Sequence, residues 1–245
     1  MFAIYKKELS SYFNSALGYI IMALYLFFSG YFFYFYCFLR ESNGVINVVS
    51  NMITIVLFII PLITMRSFAE EKRQHTDQAL MTAPISLNEI VLGKYLSAFT
   101  LYAICNVFYL FYALMLITIV PGTSLDWLHL LWAILGSLLI GAALLATNLF
   151  FSSLTEHQII AAVLGLAVGL MVMLYEAIVS IVEEFIGAIF NTTYTAVVID
   201  KFSFTTYYED FISGIVSPVG VVFFLSWTAF FLFITNRMLD RKRWA

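Results

Sequence analysis

The side chains able to do chemistry are few in this chain and poorly spaced for catalysis. His75, His129 and His157 lie far apart, and no His-Glu-x-x-His pair is present to hold zinc beside a general base. No Gly-x-Ser-x-Gly turn presents a nucleophilic serine. Cys37 and Cys105 sit in separate apolar runs, where buried small hydrophobes are a simpler reading than a disulfide or a metal pair. A phosphate-binding loop requires Gly-x-x-x-x-Gly-Lys-Ser/Thr; Gly93-Lys94 lacks both the earlier glycine and the following hydroxyl. The chain is read as a non-enzyme that cannot cradle a nucleotide by that motif.

Charge is concentrated in Arg66–Pro84, RSFAEEKRQHTDQALMTAP. Ser67 is placed to cap a helix whose first turn holds Glu70 and Glu71, where acids favour the positive end of the helix dipole. Pro84 ends that helix and Ser86 starts the next, so a charged helix is expected over 67–83. It reads either as a solvated connector or as a docking lever for a cytoplasmic partner. The lever residues would be Ser67, Glu70, Glu71, Lys72, Arg73, Asp77 and Leu80. Similar Ser/Thr-x-x-Asp/Glu patterns at Ser86/Glu89, Thr123/Asp126 and Ser153/Glu156 stand at polar-to-apolar junctions.

Polar groups inside apolar segments are costly and flag function. Asn106, Asn148 and Glu176 are the candidate pathway residues. Interhelical hydrogen bonds are the plain alternative for the two asparagines, and a carboxylate reaching interfacial water is the alternative for Glu176. Ala161, Gly165 and Gly169 form a small-residue stripe at four-residue spacing that lets helix backbones approach, either inside the chain or between subunits.

The elements that must hold these residues follow from composition. Of 245 residues, 62% are hydrophobic and 11% charged, against roughly 25% charged in a soluble domain. Six stretches approach the roughly 20 apolar residues needed to cross a bilayer: 17–39, 48–65, 90–120, 127–151, 159–179 and 219–235. They are continuous rather than alternating, as helices require and barrel strands do not. Lys6, Lys7, Arg66, Lys72, Arg73, Lys94, Arg237, Arg241, Lys242 and Arg243 fall on one side, against Arg40 and Lys201 on the other. That asymmetry places both termini in the cytoplasm. Residues 1–16 read as an amphipathic helix leading into span one. Val182, Phe185, Ile186 and Ile189 oppose Glu183 and Glu184, as in an amphipathic helix at the outer interface. The expected fold is one all-α polytopic membrane domain over residues 1–245.

The segments YKKELSSYFNSALGY, EEK…TDQALMTAPIS…NEIVLGKYLSA and FSFTTYYEDFISGIVSP through DRKRW resemble ABC-2 type transporter permeases along nearly the whole chain. The resemblance is nearest to the short permeases of gliding-motility-associated and nitrous-oxide-maturation systems. Two positions depart from the pattern: Ala16 stands where a proline is expected, and Gln78 where an acid is usual. The resemblance implies that 67–83 is a coupling helix and that 180–218 forms outer re-entrant helices. It implies a permease that dimerises, with a homodimer expected, and is driven by a separate cytoplasmic ABC ATPase that binds ATP and Mg. An auxiliary membrane or extracytoplasmic subunit is a further possible partner; no cofactor is expected in this chain and no nucleic acid. The location implied is the cytoplasmic (inner) membrane of a prokaryote. Scarce membrane-embedded charge favours a lipid-like or amphipathic cargo. The competing functions are a non-transporting anchor or mechanical transmitter for an ATPase, and an ion-coupled carrier or channel, which would need a buried ionisable site or inverted repeats.

Overall fold

In a computed structural model the chain is described over residues 1–39, 44–76, 85–119, 125–190 and 203–243. Every regular element among them is helical: α1 Phe2–Asn14, α2 Ala16–Phe33, α3 Val45–Thr64, α4 Ala69–Arg73, α5 Leu87–Ile119, α6 Trp127–Leu154, α7 Gln158–Phe190, α8 Phe204–Ile212 and α9 Pro218–Arg243. α2 continues through a wider π-helical turn, Tyr34–Leu39. Among the described residues six helices, α2, α3, α5, α6, α7 and α9, are long and apolar enough to cross a membrane. The chain is a multi-pass membrane protein. α5 has 33 residues, about 50 Å of helix against about 30 Å of hydrocarbon, so its ends project beyond the apolar layer.

α6 is the centre of the bundle, packed by α3, α5, α7, α8 and α9. Every residue from 140 to 149 is buried, and small side chains explain how so many neighbours fit. A Cβ on Gly141 would stand 2.1 Å from Tyr102 Cε1, and one on Gly136 would stand 2.5 Å from Phe211 Cβ. Tyr102 of α5 and Phe211 of α8 therefore press directly onto the α6 backbone. The Tyr102 hydroxyl meets Ser137 Oγ at 2.9 Å, Ser137 donates to Asn106 Oδ1 at 2.9 Å, and Asn106 Nδ2 donates back to the Tyr102 carbonyl at 2.9 Å. Trp227 Nε1 donates to Thr147 Oγ1 at 3.0 Å, tying α9 to α6. Tyr25 donates to the Tyr109 hydroxyl at 2.6 Å, tying α2 to α5.

Two ends of the bundle are distinct. At one, Tyr208 of α8 donates to the Val49 carbonyl at 2.9 Å, and His129 Nε2 lies 2.6 Å from the Ile212 carbonyl, so α8 is seated on α3 and α6. The other end gathers α1, α4, the starts of α5 and α7 and the end of α6. The basic residues Lys7, Arg66 and Lys94 line one cavity there.

Helix starts show where local pattern and packing part company. Ser86 Oγ accepts from Glu89 N, as its spacing predicts, but the Glu89 carboxylate pairs with the Met1 ammonium at 3.1 Å instead of returning to the cap. Asp126, expected as the returning acid, is itself the cap, accepting from Leu128 N and His129 N. Ser153 does not begin a helix: α6 runs through it, and its hydroxyl bonds the Phe150 carbonyl. Ser67 does not cap α4, because Phe68 occupies the cap position and carries no side-chain acceptor. Thr123 lies outside the described residues.

α1 and α2 meet at an elbow at Ser15, whose backbone is extended and whose Oγ accepts from Gly18 N at 3.4 Å. Ala16 is the first helical residue, a position where proline is also favoured, and the Ser15 cap suits either. A Cβ on Gly18 would stand 2.1 Å from the Tyr12 carbonyl oxygen, so only glycine lets the end of α1 fold back over the first turn of α2. α7 continues unbroken to Phe190; the amphipathic stretch from residue 180 is its extension, not a separate helix. Regular helical spacing gave no reason for a break there. Of the remaining outer segment, 191–202 lies outside the described residues.

Gly141→Ala should lower the thermal unfolding midpoint in mild detergent, since overpacking a filled core costs about 1–3 kcal/mol. Gly30→Ala is the control: its Cβ would meet only the Tyr112 hydroxyl, at 3.7 Å. Equal melting of the two variants would contradict the close-packed α5–α6 contact.

Candidate functional site: a shared lysine at the basic end

Between α3 and α5 the chain makes the short helix α4, with Glu70 and Glu71 in its first turn and Lys72 and Arg73 in its last, as the dipole favours. Its start is buried, and the orphan amides there need an acceptor. Ser152, near the end of α6, supplies it: its Oγ accepts from Phe68 N at 3.2 Å and from Ala69 N at 3.3 Å. Lys72 reaches the same place and donates to the Ser153 carbonyl. α4 is therefore bolted to the end of the central helix.

The second attachment is Lys94 of α5. Its side chain is 1% exposed, and its Nζ lies 2.8 Å from Glu8 Oε1, 2.8 Å from Glu71 Oε1 and 2.6 Å from the Ser67 carbonyl. An ammonium has three hydrogens, and each has one acceptor here. Those acceptors come from α1, from α4 and from the turn before α4. The Phe68 ring stands 5.1 Å beneath the charge, adding a cation–π contact. Removing the lysine would leave two carboxylates together without a counter-charge, a cost on the order of 3–5 kcal/mol.

Tyr12 of α1 completes the cluster. Its hydroxyl donates to the Ile63 carbonyl at 3.0 Å and lies 3.4 Å from Ser67 Oγ. Burial pushes the phenol up to about 12, with the Ser67 hydrogen bond acting in the other direction. At physiological pH it is protonated and serves as the donor. On the rim, Arg66 holds Glu70 through two bonds, at 2.7 and 3.0 Å. A cavity of about 340 Å³ opens beside the cluster, between α1 and α4, lined by Lys7, Ser11, Ser15, Arg66, Glu70 and Gln74 among others.

The residues singled out in the sequence divide clearly. Ser67, Glu70, Glu71 and Lys72 all belong to this end, but Glu71 and Lys72 point inward to partners and only Arg73 is fully at the surface. α4 spans five residues, and the chain turns after it with His75 at φ 55. Asp77 and Leu80, with the rest of the expected helix from 77 to 83, lie outside the described residues. Asn106 is buried and fully engaged between α5 and α6. Asn148 donates to the Leu144 carbonyl at 2.8 Å, while its buried Oδ1 has no conventional partner among the described residues. A Cβ on Gly165 would fall 1.7 Å from that Oδ1, so the glycine's α-hydrogen occupies the contact as a weak C–H donor. A Cβ on Gly169 would stand 3.0 Å from Leu57 Cδ2, and Ala161 is buried in the same row. The stripe thus lies along α6 and α3. Glu176 belongs to α7, and its side chain lies outside what is described.

Sequence reasoning missed Lys94, Glu8 and Ser152 as a site. The available signal was a cation two turns inside an apolar helix, at Ile90-Val91-Leu92-Gly93-Lys94, where an ionisable group needs a partner. Among the described residues, no cluster of His, Cys, Asp and Glu is grouped to hold a metal.

These features define a helical membrane protein with a rigidly held charged segment between its second and third spans. The profile of the ABC-2 family transporter proteins matches residues 15–229, and the chain belongs to that family. It is a membrane permease subunit of an ABC-type transporter, a class that works with a cooperating ABC ATPase. No curated protein matches the chain.

Ser152→Ala would leave the Phe68 and Ala69 amides without their acceptor, a cost of about 1–3 kcal/mol. The expected result is faster hydrogen exchange at those two amides with the six spans still protected. Unchanged exchange there would show that Ser152 does not hold α4.

Proposed function

We propose that this chain is the translocating subunit of an ATP-driven exporter, working as two copies with a separate cytoplasmic ATPase that carries ATP and Mg. The observation that carries the reading is the attachment of α4. A segment between two spans, fixed to α6 through Ser152 and Lys72 and to α1 and α5 through Lys94, passes a push on to the bundle without yielding itself. In this reading the segment 67–83 receives the ATPase, and Arg73, exposed at the end of α4, meets it.

The basic end then faces the cytoplasm, with both termini there, in the inner membrane of a prokaryote; the crowding of Lys and Arg supports that orientation. Two copies are supported by the open faces of the bundle. α3 has α6 behind it and α2 and α7 packed against it, and its remaining face exposes Asn47, Thr54 and Phe58. Asn47 and Thr54 on that face suit a pathway between subunits better than lipid. α2 and α7 expose Tyr19, Phe27 and Tyr31, and Ile159, Val163 and Met171, as apolar surface for lipid or a second copy. Within the family, the resemblance along nearly the whole chain to gliding-motility-associated and nitrous-oxide-maturation permeases is the basis for placing the chain in that group. Segment 180–218 would close the outer mouth, with α8 seated on α3 and α6 as its anchor.

Purification of the tagged chain from its native operon in mild detergent should recover a P-loop ATPase with two permease copies, identified by mass spectrometry. The chain recovered alone, from cells making the intact operon, would favour a carrier or channel. Arg73→Glu should reduce ATPase recovery a few-fold without changing the melting midpoint, the scale expected of one exposed interfacial charge. Equal recovery would remove Arg73 from the contact surface.

A further inference from the structure

Lys94 neutralises only one of the two carboxylates it holds. Glu8 Oε1 and Glu71 Oε1 each lie 2.8 Å from the same nitrogen, so they stand no more than about 5.6 Å apart, a separation at which like charges repel. Both are largely withdrawn from water, at 15% and 16% exposure, and screening by salt is correspondingly weak. α1 and α4 have little direct packing of their own: each is seated on other helices, α1 on α5 and α2, and α4 on α6 and α7. A cavity of about 340 Å³ separates them. Among the described residues, the polar links across this junction are the lysine's two ion pairs and the 3.4 Å contact of Tyr12 with Ser67.

We infer that Lys94 is a positioning residue that latches α1 to α4, holding two mutually repelling carboxylates on one shared ammonium so that the two helices move as one body. α1 ends at the Ser15 elbow, where Gly18 brings it over the first turn of α2. Displacement of α4 therefore carries α1, and with it the start of the first span. A load applied between spans two and three reaches span one without passing through the membrane interior. The functional consequence rests on the reading of α4 as the ATPase-facing segment, but the latch itself is a property of this chain and is measurable without an ATPase.

The test is the distance between spin labels on Ser10→Cys of α1 and Gln74→Cys at the end of α4, both exposed, in the purified permease. Cys37 and Cys105 are buried and leave the introduced thiols as the accessible ones. A single narrow distribution is expected with Lys94 in place. Lys94→Met should broaden it and shift it to longer distance, and adding Glu8→Gln to that variant should bring it part of the way back, because the repulsion is then gone although the shared ammonium is too. A side chain that merely filled space would show no such rescue. A Lys94→Met distribution equal to the parent's, or one that shifts and is not drawn back at all by Glu8→Gln, overturns the proposal. Should Lys94→Met fail to fold, Glu8→Leu takes the α1 carboxylate off the lysine and leaves no side chain at that position able to pair with Lys94 or Glu71. It should lengthen the distance alone, and an unchanged distance would again overturn the latch. In the complex with its ATPase, ATP should leave the parent pair's distance unchanged; separation would overturn the one-body motion. Failure to recover an ATPase would bear on the proposed function and leave the latch measurement standing.

Discussion

Lipid does not drive one apolar helix onto another, because hydrocarbon is as good a neighbour as leucine. What holds this bundle together must be close packing and internal polar contact, and both are concentrated on α6. Its glycines at 136 and 141 admit Phe211 and Tyr102 to the backbone, and its Ser137 and Thr147 take hydrogen bonds from α5 and α9. Side chains at those glycines would push α5 and α8 outward, and the hydrogen bonds would lengthen with them. The arrangement of the other spans depends on this one slender helix.

The same helix organises the charged end. Ser152 and the Ser153 carbonyl, in its last turn, receive α4, while α5, packed along α6, brings Lys94 up from below. The polar cluster is thus mounted on the least yielding part of the molecule. Around the perimeter the opposite holds: α7 meets the rest mainly along Ala161, Gly165 and Gly169, and no other described residue of it is buried. A stiff interior carrying a charged attachment point, with more loosely held helices outside it, is a sound arrangement for a part that must pass on motion.

Much of this was legible in the sequence, and what was not has definite causes. The six spans follow from hydropathy, since a bilayer sets the length of an apolar run almost by itself. Asn106 was open to being an interhelical hydrogen-bonding group, and it is one. Ser67 was read as a cap because spacing is local information, but the start of α4 lies under α6, and a serine 84 residues away does the capping of Phe68. Lys94 was counted among the basic residues that orient the spans. Nothing in sequence order brings Glu8 and Glu71 to it; only the fold does. α7 was cut short because a change from uniform to amphipathic composition was taken for a change of element, whereas a helix leaving the hydrocarbon can alter its composition without ending.

The separation of 86 residues between Lys94 and Glu8 also bears on how the chain is made. α1 leaves the ribosome well before the cation that fixes it, which does not exist until span three is being synthesised. Through the insertion of the first two spans the amphipathic helix has the bilayer surface, the start of α2 and the Ile63 carbonyl to rest on, but no partner for Glu8. Its final seat is therefore one of the last contacts available to the growing N-terminal half, and assembly of the charged end marks the arrival of the third span.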